Sequence, residues 1–193
     1  MSQEPSGSIE SAELTDGVVR LRPLRVTDAP QLVKSVDARM IAFTHIPVND
    51  PGDYTITYAV KHIEGLIRAE GTVAWALTEP DNTGDRYCGS IEFRQNPSGR
   101  NPFEGELGYN TAPWARNRGL QGRGVRLATK HLFQQGIHRV VIKARVDNMA
   151  SRWVAERADF AFEGFARDAE HLRDEFYDLA VYSALPTDPA YRT

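Results

Sequence analysis

The sequence predicts one compact domain of mixed helices and strands, of the α/β (α+β) class, and three observations carry that expectation. A chain of 193 residues with 41% hydrophobic content can bury a sizeable core without help from metal or disulfides. Segments with a two-residue apolar period and segments with a helical period follow one another along its length. Neither internal repeats nor low-complexity runs interrupt them beyond the first residues.

Residues 1–16 are rich in Ser, Glu and Pro, lack both a basic n-region and an apolar h-region, and are expected to form a mobile tail. The domain is expected over 17–185, with a short second tail over 186–193. Residues 18–24 alternate as a strand, and Thr27, Asp28, Ala29 and Pro30 supply the capping and first-turn signals of a helix. Over 53–70 the apolar residues Ile56, Val60, Ile63 and Ile67 recur at helical spacing, and Gly71 is placed to stop that helix. Residues 72–78 and 87–94 read as strands joined by a turn-rich connection over 79–84. A longer loop over 95–104 leads to a strand at 106–111. Next comes an amphipathic helix with Val125, Ala128 and Leu132 on one side. A central strand over 138–146 follows, turning Val140, Ile142, Ala144 and Val146 inward.

Composition narrows the function classes. A formal net charge of −3 argues against nucleic acid as the main partner and suits a cationic amine. No apolar run is long enough to cross a bilayer, so no membrane role is expected. Cys88 is the only cysteine, which rules out an intrachain disulfide and points to a cytoplasmic protein. Cys88 lies mid-strand with no nearby histidine, the setting of a small core residue rather than a nucleophile. The five histidines show no paired metal spacing, so no metal site is expected.

The chemically suggestive stretch is Arg116, Asn117, Arg118, Gly119, Leu120, Gln121, Gly122, Arg123 and Gly124, which leads directly into the amphipathic helix. Glycines let a backbone approach an anion closely, and the free N–H groups at a helix start turn their positive end toward phosphates. The arginines would add charge-assisted contacts. The glycines are spaced G-x-x-G-x-G, which is not the dinucleotide turn, and no Gly-Lys-Ser/Thr run marks a nucleoside triphosphate loop. A phosphate-bearing cofactor held by backbone is the remaining option.

The run from Gly105 to Gly119 resembles the strand and loop that bind acetyl-CoA in the GNAT acetyltransferase superfamily, in its RimJ/RimL-like ribosomal-protein acetyltransferase branch. Asn148 through Phe160, with Ser151 and Glu156, is similar to that branch's Asn-x-x-Ser helix and precedes the Glu163-Gly164 pair. Arg167 through Glu170 and Tyr177 through Ser183 match its last two strands. The likeness spans 18–185. It departs from the pattern at Gln121, a long polar side chain where backbone would meet phosphate, and at Asp159, where a helix-stopping glycine is usual.

This resemblance implies a single-domain, mixed, mostly antiparallel sheet flanked by helices and splayed between the strands at 106 and 138. The cofactor's arm would lie in that opening. It implies an N-acetyltransferase moving an acetyl group from the acetyl-CoA thioester directly to a primary amine, a protein N-terminus or a small molecule, and releasing coenzyme A. The cofactor would be held by Asn110, Arg116, Arg118, Gly119, Leu120, Gln121, Gly122, Arg123, Gly124 and Asn148, with an N–H near Asn110 facing the oxyanion. Ser151 would donate to the departing sulfur. Glu170 would accept the amine's proton, with Glu106 as the alternative base. Phe43, Tyr54 and Phe103 either wall the acceptor pocket or pack under loops. A non-catalytic acyl-CoA-binding regulator is the alternative function, and a homodimer is suggested by resemblance alone.

Overall fold

Side chains that alternate along each central strand decide which helices cover which face of the sheet. Trp75 and Leu77, Ile91 and Phe93, Leu107, and Val140 and Ile142 all point to one face and are essentially fully buried there. The computed structural model of the chain describes residues 9–81, 84–95 and 100–192. The tip of the turn expected over 79–84, part of the loop expected over 95–104, and the outer ends of both expected tails lie outside the described residues.

In chain order the elements are β1 (Leu14–Thr15), β2 (Arg20–Pro23), α1 (Ala29–Ser35), α2 (Ala38–Ala42), α3 (Ile56–Arg68), β3 (Thr72–Asp81), β4 (Gly84–Gln95) and β5 (Glu104–Thr111). Then follow α4 (Leu120–Gln134), β6 (Arg139–Arg145), α5 (Met149–Arg157), β7 (Ala161–Leu172) and β8 (Glu175–Ala184). The eight strands form one sheet in the order β1-β2-β3-β4-β5-β6-β8-β7. All neighbours are antiparallel except β5 and β6. This is the mixed, mostly antiparallel α/β sheet the sequence predicts. Helices α4 and α5 pack on the face carrying Trp75 and Ile142. Helices α1, α2 and α3 pack on the other face, against Ala74, Ala76 and Tyr87.

Helix α3 begins at Thr55, whose hydroxyl accepts from the Tyr58 N–H at 3.4 Å. Gly71, at φ +67°, turns the chain into β3. The buried stripe of α3 is Ala59, Ile63 and Leu66, whereas Ile56 and Ile67 are about half exposed. The stripe expected through Ile56, Val60, Ile63 and Ile67 is therefore rotated. Ala59 shares a core cluster with Ala74 and Ala76 of β3. In α4, Val125, Ala128 and Leu132 are fully buried, as the pattern requires. Asp159 ends α5 at φ +61°, adopting the left-handed turn without glycine.

Residues 9–16 are not loose. Leu14 and Thr15 pair with Leu21 and Arg20. The Trp75 Nε1–H donates to Ala12 O at 3.0 Å, and the His131 ring nitrogen Nε2 lies 2.7 Å from Glu10 O. At the other end Tyr191 is buried against Phe133 and Phe160, and its hydroxyl donates to Ala158 O. Both described tail segments thus seal the α4 and α5 side of the sheet. The N-terminal anchors are backbone carbonyls, which any residue type supplies, whereas the C-terminal anchor is the Tyr191 side chain.

One glycine of the suggestive loop serves this packing. A Cβ on Gly124 would stand 2.9 Å from both Ile91 Cδ1 and Leu77 Cδ1, so its lack of a side chain seats α4 on the sheet. Gly124→Val is expected to lower stability by about 1–3 kcal/mol in urea denaturation, because a bulky side chain must displace two filled core positions. An unchanged midpoint would refute this role.

Candidate functional site

The parallel pairing of β5 with β6 covers only Glu104, Gly105 and Glu106 against Arg139, Val140 and Val141. Beyond it the strands part. Residues up to Thr111 stay on β4, while Ile142 to Arg145 stay on β8. The opening has polar groups on both sides. On the α5 side, Tyr109 reaches across it: its hydroxyl lies 2.9 Å from Ser151 O and 3.0 Å from Ser151 Oγ. On the other side, Asn110 Nδ2 donates to Ser90 Oγ at 2.5 Å, and Asn110 Oδ1 is buried with no partner among the described residues.

Helix α4 starts beside this opening. Gly119 takes φ +72°, a Cβ there would meet nothing within 4 Å, and no side chain caps the helix. The first backbone bond runs from the Arg123 N–H to Gly119 O at 3.3 Å. The N–H groups of Leu120, Gln121 and Gly122 therefore have no acceptor within the helix. An uncapped helix start with open space at its leading glycine, next to parted strands with free backbone edges, fits a diphosphate followed by an amide-bearing arm.

Several residues assigned to that cradle do other work. Arg116 donates from Nη1 and Nη2 to Asp37 Oδ2 and Oδ1 at 2.6 and 3.0 Å, and from Nε to Thr111 O at 3.2 Å. Asp37 caps α2 by accepting from the Met40 N–H. Arg116 is thus a strut between α2 and the end of β5. Arg118 forms a two-pronged pair with Glu79 at 2.7 Å, and Arg123 pairs with Asp16 at 2.7 Å. Both guanidinium groups are about half exposed, although Glu79 and Asp16 are more buried, and ion pairs with an exposed partner contribute little stability.

Gln121 is 3% exposed and turned into the protein. Its Oε1 accepts from Thr111 Oγ1 at 3.1 Å, which leaves only its backbone at the helix start. The expectation of a long side chain among the phosphates is corrected: the first turn of α4 aims this side chain at the sheet. Gly122 abuts the Cβ of Arg157, and Leu120 is core. Asn148 caps α5, its Oδ1 accepting from the Ser151 N–H at 3.3 Å, so only its amide nitrogen is left to donate to a ligand.

Glu170 sits on the opposite face from Ser151, in register with Tyr177 and 19% exposed, with its Oε1 3.4 Å from His45 Nε2. Around it, the Arg145 guanidinium lies between Phe43 and Tyr177, 4.9 and 3.4 Å from their ring centres. Arg145 also pairs with Asp147, which holds that carboxyl below its ordinary range. Arg173, at the β7–β8 turn, points its guanidinium at the carbonyls of Thr44, Ile46 and Val48. Of the three aromatic candidates, Phe43 is at this mouth and Tyr54 is in the second core. The Phe103 carbonyl instead accepts from the N–H groups of His138 and Arg139.

Glu106 pairs with Lys143 at 2.9 Å at the last joined position of β5 and β6. Burial pushes the Cys88 thiol up to about 11, so it is an inert core group. Sequence reasoning missed Tyr109 and His45. The alternation of Leu107, Tyr109 and Thr111 would have turned Tyr109 inward, whereas nothing local marks His45.

A family model described as the acetyltransferase (GNAT) domain matches residues 19–161, more than half of the chain. The ribosomal-protein-serine acetyltransferase of Escherichia coli (strain K12) is 33% identical over 103 residues, covering 52% of this chain and 56% of that protein. The chain thus spans about half the length of the curated relatives it matches. Among solved structures, RimL, a ribosomal L7/L12 alpha-N-protein acetyltransferase in complex with coenzyme A, superposes with a TM-score of 0.74 at 23% identity. That match covers 93% of this chain and 98% of that one. Mycobacterium smegmatis RimJ in complex with a CoA-disulfide gives 0.77 at 20% identity, over 94% and 91%. These two superpositions establish a shared fold.

Two outcomes follow from the side-chain partners. Hydrogen bonds from Arg116 hold the Asp37 carboxyl below its ordinary range. A depressed folded pKa adds stability that is complete above the unfolded value and is lost as pH falls through the folded one. Asp37→Asn keeps the cap but loses the ion pair. It should cost about 1–2 kcal/mol at pH 7, and the gap to wild type should close below about pH 4 in thermal melts. Gln121→Ala should cost about 1–3 kcal/mol of stability through the stranded Thr111 hydroxyl and the cavity, while leaving coenzyme A affinity in calorimetry within about threefold.

Proposed function

Because the chain belongs to the GNAT acetyltransferase family, we propose that it moves an acetyl group from acetyl-CoA directly to a primary amine in a ternary complex. The acceptor class we favour is the N-terminal α-amine of a ribosomal protein, in line with the activities named for its relatives. The observation that carries the proposal is the parting of β5 and β6 after three joined residues, beside the uncapped start of α4.

Acetyl-CoA, when bound, supplies an activated thioester carbonyl, and coenzyme A leaves as product. On the protein's side, the amides of Leu120, Gln121 and Gly122 following Gly119 hold the diphosphate. Arg118 and Arg123 reinforce them by exchanging their carboxylate partners. The Asn148 amide nitrogen donates to the arm. The oxyanion donor near Asn110 is a backbone N–H of Tyr109 or Thr111, which lie on the gap edge of the parted stretch of β5, whereas Asn110 is itself paired with Ser90 of β4. Ser151 donates to the departing sulfur from the α5 side. Glu170 takes the amine's proton at the opposite mouth, with His45 beside it. Glu170 is preferred to Glu106 as the base because Glu106 lies where β5 and β6 are still joined, beside Lys143. The regulator alternative drew its support from Gln121, whose side chain is directed at Thr111 instead.

The test is thiol release from acetyl-CoA with peptides bearing an N-terminal serine and with a panel of small amines. Glu170→Gln and Ser151→Ala should each lower kcat by about 10²-fold or more, with acetyl-CoA affinity nearly unchanged. Absence of saturable acetyl-CoA uptake in calorimetry would refute the proposal. Undiminished turnover in either variant would remove that residue's role.

A further inference from the structure

We propose that Tyr109 is the positioning residue for Ser151, its hydroxyl holding the serine so that the serine proton is aimed into the opening between β5 and β6, at the departing sulfur. The inference rests on the acyl-transfer reading above. A helical serine can satisfy its hydroxyl on a nearby backbone carbonyl three or four residues earlier. Ser151 does not: among the described residues its Oγ contacts only the Tyr109 hydroxyl, at 3.0 Å.

Two protons are shared among three oxygens. Tyr109 has one proton and two acceptors at nearly equal distances, Ser151 O at 2.9 Å and Ser151 Oγ at 3.0 Å. With its proton on the carbonyl, Tyr109 accepts from the serine, and the serine proton is held locally. With its proton on Oγ, the serine proton is free to point at sulfur, and the added hydrogen bond makes the serine a stronger donor. The exchange needs only rotation of two hydroxyls. No proton leaves the tyrosine. Burial pushes the phenol's pKa upward, so it stays a donor throughout the working range.

The neighbouring polar groups are already committed. The Tyr182 hydroxyl accepts from Arg152 Nε at 3.1 Å and donates to Glu156 Oε1 at 3.2 Å. Among the described residues neither charged side chain hydrogen-bonds to Tyr109, whose hydroxyl serves Ser151 alone.

The test titrates the thiol of bound coenzyme A by thiolate difference absorbance in the full chain. It needs no amine acceptor. A serine donor stabilises the thiolate, so wild type should show the lowest thiol pKa. Tyr109→Phe should raise it by at least about half a unit, Ser151→Ala by at least as much, and the double variant no further than Ser151→Ala alone. With acetyl-CoA and a serine peptide, Tyr109→Phe should lower kcat and leave the KM for acetyl-CoA in place. A Tyr109→Phe thiol that titrates like wild type, or an equal increment in the Ser151→Ala background, overturns the inference. Should Tyr109→Phe fail to fold, 3-fluorotyrosine at position 109 keeps the shape and strengthens the donor. The thiol pKa must then fall, and an unmoved value overturns the inference. If wild type takes up no coenzyme A, both this inference and the acyl-transfer reading fall. Uptake with an unmoved thiol sinks this inference alone.

Discussion

Three joined residue pairs between β5 and β6, and no more, set the geometry on which the rest of this molecule depends. A strand interior to a sheet normally satisfies its backbone on both edges. Past Glu106, β5 keeps only its β4 edge, and β6 keeps only its β8 edge. The freed edges face each other across a gap inside the sheet, where pairing with another chain is sterically difficult and pairing with a narrow amide-bearing ligand is not. Helix α4 is the crossover between these two parallel strands, so its N-terminus opens at the side of the gap. The helix-end dipole and the free strand edges are therefore consequences of one topological choice.

Keeping the gap open takes side-chain work around its rim. The Arg116 strut joins the cap of α2 to the last carbonyl of β5. Arg145 binds the Ala42 carbonyl at 3.2 Å and is held between Phe43 and Tyr177, tying the end of β6 to α2 and β8. Arg173 reaches from the β7–β8 turn toward three carbonyls of the segment after α2. These three arginines brace the acceptor-side mouth. Arg118 and Arg123 are more exposed than Arg116 and Arg145 and hold carboxylates near the start of α4. In the proposed function the half-exposed Arg118 and Arg123, rather than the enclosed Arg116 and Arg145, are the cations that meet the incoming anion.

The strands and helices from β2 to β6 other than α2, the buried faces of α4 and β6, and the core position of Cys88 were legible from local periodicity, while α5, β7 and β8 were reached through the family resemblance. What each arginine does was not. Arg116 lies 79 residues from Asp37, Arg118 lies 39 from Glu79 and Arg123 lies 107 from Asp16, so the loop advertises phosphate binding while its partners are set by the tertiary fold. Gly124 misled for a related reason: a glycine needed for close packing looks identical to one needed for a phosphate. The first strand escaped notice because Trp75 and His131 grip its neighbours through backbone oxygens. The buried line of α3 was missed because it runs through Ala59, Ile63 and Leu66, with Ile56 and Ile67 left half exposed.

The gap also separates two proton tasks that would interfere if they shared a surface. Under the proposed function, an amine must lose a proton and a sulfur must be offered one within the same exchange. Glu170 and His45 stand at a polar, partly exposed mouth, where a proton can pass to solvent. Ser151 and Tyr109 stand behind the sheet, between α5 and the core, where a hydrogen bond is stronger because water is scarce. The sheet lies between these two sites, and only where β5 and β6 part can one reacting carbon be approached from both. A continuous ladder would leave each group facing its own side of a wall. With the proposed roles of Ser151 and Glu170, the parted strands would let one layer of backbone serve as both the partition between acid and base and the passage through which they act together.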